Sequence, residues 1–251
     1  MAVTFPKKGN SYWPLPADYG SLTTEGQRLA RVNACSLDSS SADIASAFGF
    51  FDSYYLRPSE GFDPVFYVHP VPPPAPFHRQ GIQWMEEHDR MILIAPRGHG
   101  KSFVFGRALP LWKMLSRPGH TTLLICATDN MAEVAIDDVK IQLDENERIL
   151  EDFGKLAPRR GDGRKWSSHH LKAAPPYNSG LMGAAVLGRK RGRRPTMVIL
   201  DDPEFDPITK QATTELTSRL KEMVQKIIIP MMREKCKILM VGTLSSRQAF
   251  L

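Results

Sequence analysis

The stretch "APRGHGKS", residues 95–102, decides the fold of this chain. The usual phosphate-binding loop reads G-x-x-x-x-G-K-[ST]. Gly100, Lys101 and Ser102 supply its ending, Ala95 stands where the first glycine is usual, and Arg97 sits inside the loop. The physical requirements are nevertheless met. An apolar run, "MILI" (91–94), leads in, and a helix-like segment, "SFVFGRALPLWKML" (102–115), follows. Gly98 and Gly100 permit a backbone that aims N–H groups at anionic oxygens, and a helix N-terminus adds partial positive charge. In that geometry Lys101 reaches the β- and γ-phosphates and Ser102 ligates Mg²⁺, while Gly98, His99 and Gly100 line the nucleotide. The plain alternative is an accidental glycine-rich turn.

Two further stretches bear on that alternative. "MVILDDPE" (197–204) is an apolar strand ending in acids. Asp201, at its tip, is the expected Mg²⁺ carboxylate. A second acid is needed to orient the attacking water. Asp202 and Glu204 both qualify by proximity, and the longer side chain favours Glu204. "KILMVGTLSS" (237–246) is another buried-type strand that exits through Gly242 and Thr243, with Ser245 and Ser246 beyond. In NTPases whose metal-binding strand does not neighbour the phosphate-loop strand, a strand of this kind lies between them. Thr243 then stands near the γ-phosphate; an ordinary strand-to-turn exit explains the same letters.

The rest of the chain fits around these pieces. "TTLLICAT" (121–128) reads as a further buried strand. "MAEVAIDDVKIQLDENERIL" (131–150) has the helical period, with Val134, Ile141 and Leu143 among its apolar positions. "TTELTSRLKEMVQKIII" (213–229) reads as a helix up to Pro230, and Pro110 should bend or interrupt the helix after the loop. "KWSSHHLKAA" and "GLMGAAVLG" are possible extra strands. Short apolar strands alternating with helices predict an α/β fold, a mainly parallel sheet covered on both faces. With the loop and the intervening strand, this is a P-loop NTPase of the ASCE type, in which "KILMV" lies between "MILIA" and "MVIL". Residues 1–76 form a separate N-terminal part, with helices around "TTEGQRLARVNAC" and "SADIASAFGFFDSYYL", the second capped by Ser41 or Asp43, and a Pro-rich connector, "HPVPPPAPF" (69–77). Residues 77–251 form the ATPase domain. Just after the connector, "FHRQGIQWM" (77–85) offers His78 and Gln80 to the adenine; Phe77 and Trp84 serve equally well as core residues.

Composition narrows the function. At 251 residues, 42% hydrophobic and 24% charged, the chain is long enough to bury a core. Three widely spaced cysteines support neither a disulfide framework nor a Cys/His metal site. No apolar run approaches a membrane span. The net charge of +6 conceals an asymmetry: residues 155–194 hold eleven Lys and Arg against one acid, Asp162, so this block carries +10 and the remainder −4. Such a block suits a polyanion; a solvated basic surface is the bland alternative. "GRKRGRRP" (188–195) lies within it, immediately before the acid-tipped strand. Its Arg191 or Arg194 is a candidate arginine finger acting in trans on a neighbouring subunit's ATP, with Arg97 in cis as the rival.

Taken together, "APRGHGKS", "RGRRPTMVILDDPE" and "VGTLSS" resemble the ATPase domain of the large terminase subunit, the genome-packaging motor of tailed bacteriophages. The match covers roughly residues 77–246. The resemblance implies that Arg97 and Lys101 contact the triphosphate, Asp201 serves Mg²⁺, and Glu204 is the catalytic carboxylate. Many family members place that acid directly after the metal ligand, which keeps Asp202 in contention. It further implies double-stranded DNA, the portal and procapsid and the small terminase subunit as partners, a homo-oligomeric ring when assembled, and action in the host cytoplasm. Family members usually continue into a nuclease domain, and this chain is expected to hold the motor part alone. A helicase-like or other nucleic-acid-stimulated ATPase is the runner-up, and a regulatory nucleotide-binding module without turnover comes third.

Overall fold

The computed structural model describes residues 18–36, 44–57, 75–186, 194–203, 214–231 and 236–243. Among these residues seven strands form one sheet in the order β1-β7-β6-β2-β5-β4-β3. β1 (Arg90–Ile94), β2 (Thr121–Cys126), β5 (Gly180–Ala185), β6 (Met197–Asp201) and β7 (Lys237–Gly242) run parallel. The short β3 (Trp166–Ser167) and β4 (His170–Lys172) add antiparallel at the edge. β7 pairs with β1 on one side and β6 on the other, so a strand separates the loop-bearing β1 from the acid-tipped β6, as the sequence predicts. This is the ASCE arrangement of a P-loop NTPase.

Alternation along the central strands feeds two cores. On β2, Leu124 and Cys126 join the larger cluster and Leu123 and Ile125 the smaller one; Ile199 and Leu200 of β6 divide the same way. The larger core is covered by α3 (Pro76–Glu87), α5 (Leu109–Ser116), α6 (Asp129–Glu145) and α7 (Glu147–Phe153). The smaller is covered by α8 (Thr214–Met223) and the turn after it, through Leu220, Met223 and Ile228. On α6 the buried face is Ala132, Ala135, Ile136, Val139 and Leu143. Val134, read as apolar in the periodic pattern, is instead exposed.

The N-terminal helices α1 (Thr24–Cys35) and α2 (Ile44–Tyr55) share the larger core with the sheet. Thr23 caps α1 by accepting from the Gly26 N–H. Trp112 Nε1 donates to the Cys35 carbonyl at 2.9 Å, and Phe48 meets Trp112 edge-on at 5.3 Å between ring centroids. Arg31 forks onto Asp152 of α7. The proposed caps Ser41 and Asp43, and the connector up to residue 74, lie outside the described residues.

Pro110 interrupts its helix as expected, whereas Pro230 does not end its own. The helix after the phosphate loop begins as α4 (Lys101–Phe103), widens into a π-turn at Val104–Ala108 and continues as α5 past Pro110. Pro110 has no N–H to give the Gly106 carbonyl, and its ring crowds that oxygen. The helix absorbs both by bonding Leu109 N–H back to Val104 O. Pro230 repeats the device: Val224–Ile228 is a π-turn, and α9 (Ile229–Met231) carries the helix through the proline that was expected to end it.

Candidate nucleotide site

Parallel strands put β1, β6 and β7 side by side with their C-terminal ends at one edge of the sheet, which is where ligands gather in open α/β folds. The loop leaving β1 turns through Gly98 (φ 78°) and Gly100 (φ 70°), a left-handed geometry that costs glycine nothing. Gly100 is the N-cap of α4, so the first N–H groups of the helix face the loop's concavity. A cavity of about 360 Å³ opens there, lined by residues 97, 98 and 100–103, by Met131 near the start of α6 and by Asp202. That volume falls in the range of small-molecule sites.

The polar groups converge from three neighbouring strands. Lys101 is buried, and its Nζ donates to the Pro96 carbonyl at 3.1 Å and to Thr243 Oγ1, past the end of β7, at 2.8 Å. Ser102 Oγ donates to Asp201 Oδ1 at 2.9 Å. Asp201 is buried, and desolvation pushes its carboxyl up to about 6 against the pull of the Ser102 hydrogen bond. Among the described residues no cation forms an ion pair with it. A desolvated carboxylate beside a serine hydroxyl, next to a lysine already occupied by two oxygens, is a donor set that suits a hard divalent cation. The residues therefore fit Mg²⁺.

Asp202 follows with φ 41°, unusual for a residue bearing a side chain but tolerated best by Asp and Asn. Its N–H bonds Val241 O at 2.8 Å, fixing the turn, and the residue lines the cavity. Glu204 and Arg191 lie outside the described residues, as do Ser245 and Ser246. Arg97 lines the cavity. Arg194 is exposed and precedes β6, whose five residues span about 13 Å. It therefore sits at the opposite edge of the sheet from the phosphate loop and cannot serve this chain's own cavity.

The residues upstream of β1 do something other than frame a base. His78, on α3, is buried. Its Nδ1 accepts from the Ala75 N–H at 3.0 Å, so Nε2 carries the proton and donates to the His99 carbonyl at 2.7 Å. Burial lowers its pKa and holds it neutral. With both nitrogens engaged by backbone, His78 braces the phosphate loop. His99 is exposed, its Nδ1 turned back to the Arg97 carbonyl at 3.0 Å. Gln80 and Trp84 are exposed, and neither lines the cavity.

Two contacts escape the sequence reading. A Cβ at Gly106 would lie 2.8 Å from Asp201 Oδ2, so only glycine leaves room for the carboxylate there. Arg107 Nη1 donates to the Ser102 carbonyl at 3.3 Å while its Nε pairs with Asp138 of α6 at 2.5 Å, tying the first turn after the loop to that helix. The available signal was the spacing of Gly106 and Pro110: a proline displaces the carbonyl four residues before it.

No protein-family model matches the chain, and no curated protein matches it in sequence. Solved structures do. The HK97 bacteriophage large terminase aligns with a TM-score of 0.52 at 14% identity, over 82% of this chain and 39% of that one. The chain shares its fold with the aligned part of that terminase. The large terminase ATPase domain of Thermus phage P74-26 aligns less fully, with a TM-score of 0.35 at 18% identity, over 61% of this chain and 58% of that one. The chain thus spans about two fifths of the length of the HK97 protein. Among the described residues no helix is long and apolar enough to cross a membrane.

Proposed function

We propose that the chain is the Mg²⁺-dependent ATPase motor of a phage large terminase, which drives double-stranded DNA into a procapsid. The observation that carries this is the meeting of Lys101, Ser102, Asp201 and Thr243 at one edge of an ASCE-ordered sheet. Bound Mg²⁺ supplies neutralisation of the β- and γ-phosphate oxygens, with Ser102 and Asp201 as its protein partners. Lys101 exchanges the Pro96 carbonyl and Thr243 for phosphate oxygens, which leaves Thr243 able to register whether the γ-phosphate is present. The N–H groups of Gly98 and Gly100 and the α4 N-terminus hold the phosphate chain in line. Asp202 orients the attacking water and accepts its hydrogen bond. Among the described residues Asp202 is the carboxylate that lines the cavity; Glu204, which lies outside them, remains its rival for this role. Arg97 neutralises charge on the γ-phosphoryl group in cis; Arg194 reaches a triphosphate only when that triphosphate belongs to a neighbouring subunit of a ring. Portal, procapsid and small terminase subunit are the partners of this reading, and the host cytoplasm is its setting.

Phosphate release from Mg·ATP tests the assignment. Lys101→Ala should abolish turnover and Asp202→Asn should retain ATP binding while losing turnover. An active Lys101→Ala protein would remove the phosphate-loop role. An active Asp202→Asn protein beside an inactive Glu204→Gln protein would return the water-orienting role to Glu204.

A further inference from the structure

The basic block noted in the sequence divides in two, and its first half is well placed for a task that the nucleotide site does not perform. After α7 the chain enters a loop (154–165) that leads into the β3–β4 hairpin at the far edge of the sheet. The loop is pinned at both ends. Leu156 is fully buried and its carbonyl accepts from Ala174 N–H at 2.9 Å; the Lys165 carbonyl accepts from Lys172 N–H at 2.8 Å. Between these anchors the chain stands out from the body, with Gly161 and Gly163 at its tip.

Lys155, Arg159, Arg160 and Lys165 are all exposed, and among the described residues none of the four forms an ion pair. Asp162, the sole acid of the loop, is already neutralised by Arg164. Four exposed cations on a pinned loop raise a local positive potential that draws an anionic partner. Their number suits a regular phosphate backbone, and the neighbouring aromatic, Trp166, is tied to Asp144 through its Nε1.

The loop is also linked to the cavity. Trp166, at the base of the hairpin, donates from Nε1 to Asp144 in the last turn of α6 at 3.1 Å. At the other end of α6, Asp129 accepts from Ala185 N–H at 2.9 Å and Met131 lines the nucleotide cavity. The 17 residues of α6 span about 25 Å, so one rigid helix touches both places.

We infer that the loop carrying Lys155, Arg159, Arg160 and Lys165 grips the phosphate backbone of duplex DNA, and that α6 joins this grip to the nucleotide cavity. The choice of duplex DNA as the polyanion rests on the packaging-motor reading.

The test uses the full chain, a 30-base-pair blunt duplex and fluorescence anisotropy between roughly 50 and 200 mM salt, with Lys155→Gln, Arg159→Gln, Arg160→Gln and Lys165→Gln combined. Each neutralised phosphate contributes about 0.9 to the slope of log affinity against log salt, so the variant should lose about 3 to 4 from that slope. It should bind at least tenfold more weakly at the lower salt, keep its ATP turnover without DNA, and lose stimulation by DNA. Removing charge on α8 instead, by Arg219→Gln, Lys221→Gln and Lys226→Gln, should change affinity by less than about twofold, since exposed cations far from the duplex are screened. An unchanged slope in the loop variant, or an equal loss from α8, overturns the inference. So does a wild-type chain that prefers an acidic polypeptide to the duplex at matched charge. A wild-type chain that hydrolyses ATP but ignores duplex overturns the grip while sparing the ATPase reading. A chain that binds duplex through this loop yet never hydrolyses ATP does the reverse.

Discussion

Two aspartates, equally withdrawn from water, are treated in opposite ways. Asp152, on α7, is buried and fully answered: Arg31 Nε and Nη2 fork onto its two oxygens, and Tyr55 OH donates to Oδ2 at 2.6 Å. Asp201, at the tip of β6, is buried and receives one hydroxyl, from Ser102. The first arrangement closes the charge account of the fold within the chain itself and so serves structure, docking α1 against α7. The second leaves a carboxyl with its pKa raised to about 6, a charge that something from outside must answer. A buried charge that the chain satisfies reads as architecture; one that it leaves waiting reads as a site.

The largest effect should come from undoing the answered pair. Arg31→Ala leaves Asp152 buried without its cation, a change that costs about 3–5 kcal/mol. A chain of this size should then melt about 6–20 °C lower, as read by calorimetry. A loss below about 1 kcal/mol would mean that Asp152 is not held as described. Next in size is Asp201→Asn, which should cut ATP turnover by about 10²–10³-fold or more, the scale of removing one preorganised electrostatic group. Steady-state phosphate release reads this directly.

Gly106→Ala sharpens the contrast, because it disturbs Asp201 without touching its chemistry. The new methyl needs space now held by Oδ2, so the carboxylate must move by several tenths of an ångström. Turnover should fall by about tenfold to a hundredfold, while stability falls by no more than about 2 kcal/mol, since the crowding costs about 1–3 kcal/mol and alanine's helix preference over glycine returns up to about 1 kcal/mol. Turnover within twofold of wild type would show that the carboxylate's position is not critical.

The smallest effect concerns a third buried group, one answered by hydroxyls. His120 lies between Thr122 Oγ1 and Thr196 Oγ1, at 3.1 and 2.9 Å. Burial, with Lys113 and Arg117 nearby, lowers its pKa to about 3 from 6.5. The unfolded chain takes up a proton that the folded chain refuses. The stabilisation is therefore complete above pH 6.5 and is lost progressively as pH falls from there towards 3. Moving from pH 7 to pH 5 should cost about 2 kcal/mol, and His120→Gln should flatten that part of the stability profile. An identical profile in the variant would assign the acid sensitivity to other groups.

Much of this could be read in the letters, for identifiable reasons. Phosphate loops need particular residues in a fixed order, so Lys101 and Ser102 stand out despite Ala95. The strand between β1 and β6 was legible because "KILMVGT" and "MVILDD" both end in small or acidic groups after an apolar run. What could not be read depends on side-chain direction in three dimensions. His78 has the composition of a base-binding residue, but α3 turns it inward to brace the His99 carbonyl. Arg194 is near Asp201 in sequence and a strand's length away in space. Gly106 is one small residue in a helix until the carboxylate opposite it is known.

The most direct test of the account is the melting temperature of the wild-type chain and of Asp201→Asn, each with and without Mg·ATP. If Asp201 is a charge left for a cation, then without ligand the variant should melt at or above the wild-type temperature, because a neutral amide is cheaper to bury than a carboxylate. At about 100 times the dissociation constant, Mg·ATP should add about 2.7 kcal/mol to the wild type, and far less to the variant at the same concentration. A variant that melts well below wild type without ligand, yet gains the full increment from Mg·ATP, would contradict the account and make Asp201 a structural residue like Asp152.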